Sequence, residues 1–248
     1  MARQANDTVA AAIKAHPNRF EGFATLPTPD PDAAARELER AVGELGLCGA
    51  MQCGRTRQSN MDAPEMLPIY QTAARLAVPL YIHPQSPVEG VREAYYSGFG
   101  DAVDFAFATA GLGWHFETGI QILRLILAGT LDRLPDLQLI IGHWGEVVLF
   151  YLERIDRLGQ FAKNLERPIS EYFRGNVSVT PSGIYSARYL KWATEVLGVE
   201  RILYSTDYPY VFDGTDEPRR FLENADLSDE DKAKIGSGNW DRLTGSSG

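Results

Sequence analysis

Three apolar stretches of this chain end in a residue that can bind a metal or move a proton. Residues 78–82 run into His83. Residues 137–141 run into Gly142 and His143, with Glu146 three positions on, and residues 201–206 run into Asp207. The whole chain has four histidines, so placing two of them at strand ends beside a third that ends in a carboxylate is a pattern, not scatter. Imidazole nitrogen and carboxylate oxygen arriving from separate strands suit a divalent ion such as zinc or manganese. They suit acid–base work equally well. One strand-end histidine alone is usually a hydrogen-bonded structural residue; the three taken together read as one site.

These residues need a scaffold that ends its strands on one rim. The sequence alternates helix and strand throughout. A helix over 7–16 leads to a strand at 22–26, and Asp30-Pro31 has the form of an N-cap and first helical residue. Leu38, Val42 and Leu45 then share a helical face that Gly46 terminates. Further strands are expected at 49–52, 78–82, 137–141, 175–180 and 201–206, with helices at 64–77, 117–129, 146–160, 186–197, 216–224 and 229–236. Ser228 and Asp231 have capping-box spacing. The stretch 85–116 (Tyr95, Tyr96, Phe99, Phe105, Trp114) reads as a long aromatic loop or lid with a short helix. Six short strands, each followed by a helix, require a parallel sheet with right-handed crossovers. A (β/α) barrel and an open doubly wound sheet both satisfy this, and both bind ligands at the carboxyl ends of their strands.

Composition narrows the partners. The 248 residues are 44% hydrophobic and 23% charged, with 33 acidic against 24 basic side chains and a net charge of −9. Such a chain is a poor match for nucleic acid or an anionic membrane. The longest apolar stretch, 119–131, is broken by Gln121 and Arg124 and is too short to span a bilayer. Residues 1–20 read as an amphipathic helix, not a secretory leader. Cys48 and Cys53 read as reduced thiols, and with them a cytoplasmic location is expected. No GxGxxG follows a strand and no P-loop is present, which disfavours a nucleotide cofactor.

Several motifs resemble one family. Ile82-His83-Pro84, Gly142-His143-Trp144-Gly145-Glu146 and Ser205-Thr206-Asp207-Tyr208-Pro209 are similar to the amidohydrolase-related family. The similarity is to its decarboxylase branch, which includes aminocarboxymuconate-semialdehyde and gamma-resorcylate decarboxylases. Residues 18–27, Phe116-Glu117-Thr118, Leu123-Arg124-Leu125 and Asp132-Arg133-Leu134-Pro135 extend the resemblance over nearly the whole chain. It implies a TIM-type (β/α)8 barrel of the metal-dependent hydrolase superfamily, formed as a single domain over 1–248. It implies metal ligands at His83 and Asp207, a catalytic pair at His143 and Glu146, and a supporting arginine at Arg154. The family's first strand carries a Glu-x-His or His-x-His pair, which this chain lacks. His16 ends the first helix and reads as a surface residue. The six strands therefore correspond to strands three to eight, about six of eight βα units, and an exposed gap would favour a homodimer or homotetramer.

The resemblance implies metal-dependent, non-oxidative decarboxylation of a small hydroxyaromatic or related unsaturated carboxylate. Asp207, or an acid it controls, would be the proton donor, and Trp144, Tyr208 and the 95–116 aromatics would cover the ring. Hydrolysis of a lactone, ester or amide stands as an alternative, and a non-catalytic barrel fragment as another.

Overall fold

Five apolar stretches form one parallel sheet: β1 (Phe23–Thr25), β2 (Gly49–Cys53), β3 (Leu80–His83), β4 (Leu139–Ile141) and β5 (Val177–Val179). The computed structural model describes residues 1–211 and 214–245. Each strand pairs with its neighbour in the chain, in the order β1-β2-β3-β4-β5, and every pair is parallel. A doubly wound sheet reverses its strand order at a switch point. This sheet never does, so its winding is that of a (β/α) barrel.

The sixth expected strand, 201–206, is reduced to one bridge between Val179 and Ile202, with the Leu203 N–H donating to the Val179 carbonyl at 2.9 Å. The ladder stops because Pro181 has no N–H to offer and Ser182 turns away at φ 42°. The segment still follows β5, since the Ser182 N–H donates to Ser205 Oγ at 3.1 Å.

Register separates two faces. Ala50, Leu80, Ile82, Leu139, Ile141, Val177 and Val179 alternate along their strands, are fully buried and pack under the helices. Thr25, Met51, Tyr81, Ile140 and Ser178 are successive register partners on the opposite, inner face. One row nearer the carboxyl rim, Cys53 pairs with His83. One continuous core runs from Ala24 in β1 to Ile235 near the carboxyl end. The outer edge of β1 is met by Asn6 of the helix Ala2–Ala15: the Thr25 N–H donates to Asn6 Oδ1 at 2.8 Å, and Asn6 Nδ2 donates to the Thr25 carbonyl at 3.1 Å.

The helix starts follow their capping residues. Asp30 accepts from the Ala33 N–H at 3.0 Å, and Ser228 accepts from the Asp231 N–H at 3.1 Å. Two segments differ from expectation. The stretch 85–116 holds two short helices, Glu89–Tyr95 and Asp101–Ala108, and the long helix begins at Gly113 (Gly113–Leu127). Trp114, His115 and Phe116 therefore stand on its first turn. The helix expected over 146–160 spans Val148–Ile155 and tightens into a 3-10 turn, Asp156–Gln160, because residues 143–147 adopt another conformation.

Candidate active site at the carboxyl ends of the strands

Past β4 the chain enters a left-handed turn. His143, Trp144, Gly145, Glu146 and Val147 have φ values of 48°, 57°, 88°, 52° and 62°. This backbone costs an L-residue about 1–2 kcal/mol, so four non-glycine residues in one such turn persist only because their surroundings hold them. The Trp144 N–H donates to the Thr180 carbonyl at 2.9 Å, and its indole Nε1 donates to the Ile184 carbonyl at 2.8 Å. Gly142 lets the turn sit close to β3 and β5: a Cβ there would lie 2.9 Å from Ser182 Oγ and 3.0 Å from the Tyr81 hydroxyl. Asp207 and Ser182, at the ends of the following segments, are also left-handed, with φ of 56° and 42°.

The turn drives Glu146 inward until its side chain is fully buried. Its carboxylate lies between two imidazoles. His143 Nδ1 is 2.7 Å from Oε1, and His115 Nδ1 is 2.6 Å from Oε2. The two rings meet edge to face with centroids 4.6 Å apart. Helix Gly113–Leu127 delivers His115 by lying directly on the turn. Gly119 makes that possible, because a Cβ there would be 2.8 Å from the Glu146 carbonyl oxygen. Burial alone would raise the Glu146 carboxyl, but hydrogen bonds and charge from the two histidines outweigh it and hold it below the ordinary carboxylate range. Burial also opposes charge on His115, yet Glu146 and the Ala110 carbonyl raise its proton affinity above that of an ordinary histidine.

His115, His143 and Glu146 each offer one ligand atom, all within 4.8 Å of one another. Their 2.6 and 2.7 Å contacts are hydrogen-bond lengths. Two ligands on one ion at about 2.1 Å in tetrahedral geometry would stand roughly 3.4 Å apart. As arranged, this trio shares protons. His83 and Asp207, the ligands the resemblance implies, are a separate donor set. His83 Nδ1 is 2.8 Å from the Pro84 carbonyl, which can only accept. Nδ1 therefore carries the hydrogen and Nε2 keeps its lone pair, the arrangement that orients metal-binding imidazoles. The partly buried Asp207 carboxylate has no hydrogen bond or ion pair among the described residues. Burial raises its proton affinity, while His143 and His83 pull it down, so the three groups share one electrostatic neighbourhood.

A cavity of about 290 Å³ opens beside His115 and His143, with Phe116, Trp144, Phe150 and Trp192 on its largely apolar walls. A larger groove of about 1080 Å³, between helices Ala187–Leu197 and Glu217–Glu223, has none of the candidate residues on its walls. Tyr95, Phe99, Phe105 and Tyr208, expected as a cover, are exposed. Trp144 does line the cavity, and Trp114 stands edge-on to His83 with ring centroids 6.3 Å apart.

The structure thus gathers His143 and Glu146 into one cluster and keeps His83 and Asp207 within its field. It does not bring Arg154 to them. That side chain is exposed on helix Val148–Ile155 and has no hydrogen bond or ion pair among the described residues. The expectation placed it two turns along a helix starting at Glu146, and the left-handed turn removes that register. The support for Glu146 comes from His115, which the sequence reading did not single out. Its signal was available only as one of four histidines, just before Phe116-Glu117-Thr118. His16 caps the first helix, exposed against Phe20, away from the site.

A barrel-wound parallel sheet with imidazoles and carboxylates on its carboxyl rim defines the metal-dependent hydrolase class of TIM-type proteins. The chain belongs to the amidohydrolase family, whose model matches residues 1–243. It is 36% identical over 255 residues to the gamma-resorcylate decarboxylase of Polaromonas sp., covering 98% of this chain and 75% of that protein. The structure of 5-carboxyvanillate decarboxylase from Sphingomonas paucimobilis superposes with a TM-score of 0.90 at 34% identity, over 98% of this chain and 72% of that one. A dihydroxybenzoic acid decarboxylase from Polaromonas sp., with bound manganese and the inhibitor 2-nitroresorcinol, superposes with a TM-score of 0.88 at 36% identity, over 98% and 74%.

Proposed function

We propose that this chain is a metal-dependent, non-oxidative decarboxylase of hydroxyaromatic carboxylates. The observation that carries this reading is the buried Glu146 bridging His143 and His115 beside an apolar cavity. His83 Nε2 and the Asp207 carboxylate would hold a manganese or zinc ion. When bound, the ion supplies Lewis-acid polarisation of the substrate carboxylate and its neighbouring oxygen.

The chain's own residues account for the proton transfers. Glu146 fixes the Nδ1–H of His143, which leaves Nε2 to take or return the proton of a ring hydroxyl. As the carbon–carbon bond breaks, carbon dioxide leaves and the electron pair stays on the ring carbon. A proton must reach that carbon, and we assign its delivery to Asp207, which solvent then reprotonates. The apolar walls around Phe116, Trp144 and Phe150 suit a flat ring and limit water.

The test is incubation with 2,6-dihydroxybenzoate and manganese, following carbon dioxide release and formation of the decarboxylated phenol. Turnover that stops with chelator and returns with metal supports the reading. Hydrolysis of lactones with hydroxybenzoates untouched would replace it with a hydrolase.

We further infer one domain over 1–248, on the strength of the continuous core. A homodimer or homotetramer is supported by exposed Phe150, Tyr151 and Phe161, and light scattering on the purified chain tests it. A cytoplasmic location is supported by the two free cysteines, Cys48 and Cys53, and fractionation tests it.

A further inference from the structure

His115 is committed at both ring nitrogens. Nε2 lies 3.1 Å from the Ala110 carbonyl and Nδ1 lies 2.6 Å from Glu146 Oε2. A carbonyl oxygen only accepts, so Nε2 carries a hydrogen. A neutral imidazole has a single N–H. The proton between Nδ1 and Glu146 is therefore a second one, and because the surroundings lower the proton affinity of Glu146 and raise that of His115, it rests on the imidazole, giving an imidazolium on His115 against a carboxylate on Glu146. His143 sits on the other oxygen of that carboxylate, its ring centroid 4.6 Å from that of His115. Two imidazolium rings that close repel each other. With the cation on His115, His143 stays neutral, with its hydrogen on Nδ1 and its lone pair on Nε2.

We propose that His115 is a positioning residue for His143: it neutralises Glu146, locks that carboxylate in place, and keeps His143 in the neutral tautomer whose Nε2 serves the substrate. This rests on the assignment of His143 under the decarboxylase reading, but the tautomer claim itself does not need a substrate. His115 also ties the segment before its own helix to the site. Its Nε2 holds the Ala110 carbonyl, just past helix Asp101–Ala108, while its neighbour Trp114 donates from Nε1 to Ser86 Oγ at 3.1 Å. Among the described residues, Asp207 interacts with His143, and with His83, from the neighbouring rim, Tyr81 interacts with Glu146 from β3, and Glu117 on the same helix is already paired with Arg55 at 2.5 Å.

The experiment compares wild type, His115→Gln and His115→Phe, each checked for a cooperative thermal transition. Gln keeps a donor toward Glu146 without charge; Phe keeps the ring shape with neither. On the zinc-loaded proteins, nitrogen-15 correlation spectra of the histidine rings report protonation with no substrate present. Wild type should show one histidine doubly protonated through neutral pH and His143 with its hydrogen on Nδ1. In His115→Gln, His143 should inherit the whole Glu146 charge, and its ring nitrogen signals should move toward those of the doubly protonated form at pH 7. On a turned-over substrate, kcat should fall about 10–100-fold with KM nearly unchanged, and the pH profile should move between wild type and His115→Gln. His115→Phe should lose more than His115→Gln. A neutral His115 at pH 7, or His143 ring signals the same in all three folded proteins, would overturn the proposal. Spectra as expected on a chain inert to hydroxybenzoates would overturn the decarboxylase reading and leave this one standing.

Discussion

Glu146 and His115 are 31 residues apart in sequence and 2.6 Å apart in space, the carboxylate fully buried and the imidazole nearly so. A buried charge is tolerated only when paired and hydrogen-bonded, and each partner meets that condition for the other. The pairing also decides how the cluster responds to pH and to substitution.

The pH dependence of stability follows from the two shifts. Glu146 binds its proton less tightly in the fold than in the unfolded chain. Its contribution is complete above an unfolded value of about 4.3 and fades as pH falls through the lower folded value. His115 binds its proton more tightly in the fold. Its contribution is complete below about pH 6.5 and fades as pH rises through the higher folded value. The cluster therefore stabilises most between roughly pH 4.5 and 6.5. The thermal midpoint of wild type should exceed that of His115→Gln by more at pH 6 than at pH 9. Equal gaps would contradict the charged pair.

His143→Asn keeps a polar group of similar size on the turn but cannot exchange a proton. It should fold with an unchanged circular dichroism spectrum and lose about 10²–10⁴ in kcat on a hydroxybenzoate. Full activity would remove His143 from the mechanism.

Gly119→Ala probes the contact that carries His115 to the turn. The added carbon would lie 2.8 Å from the Glu146 carbonyl and 2.8 Å from a Val148 methyl, so helix and turn must separate. We expect a loss of about 1–3 kcal/mol in denaturant unfolding, as for other overpacked contacts. We also expect activity to fall beyond what the lost stability explains. A variant as stable and active as wild type would show that the helix does not depend on this approach.

Metal content tests the second donor set. Elemental analysis of protein purified without chelator should find manganese or zinc, and His83→Ala or Asp207→Ala should lower it. His115→Gln should not. If His115→Gln lost the metal while His83→Ala kept it, the ligands would be the Glu146 trio instead.

The alternation of helix and strand, the parallel sheet and the delivery of His83 and His143 to strand ends were legible in the sequence. They depend on short-range patterns: apolar runs, capping residues such as Asp30 and Ser228, and a residue type at a strand's last position. Whether the sheet winds as a barrel or doubles back was not legible, because strand order is a relation between distant segments; pairing in the order β1 to β5 decided it. The tertiary structure also decided the sixth strand, which Pro181 and Ser182 cut to a single bridge. It decided the conformation of 143–147 as well. No local propensity favours left-handed backbone at a tryptophan or a valine, and hydrogen bonds from Trp144 to Thr180 and Ile184 help to hold it. His115 was hidden for the same reason. Its sequence neighbours say nothing of its role, which exists only where Gly119 lets a helix rest on the turn that buries Glu146.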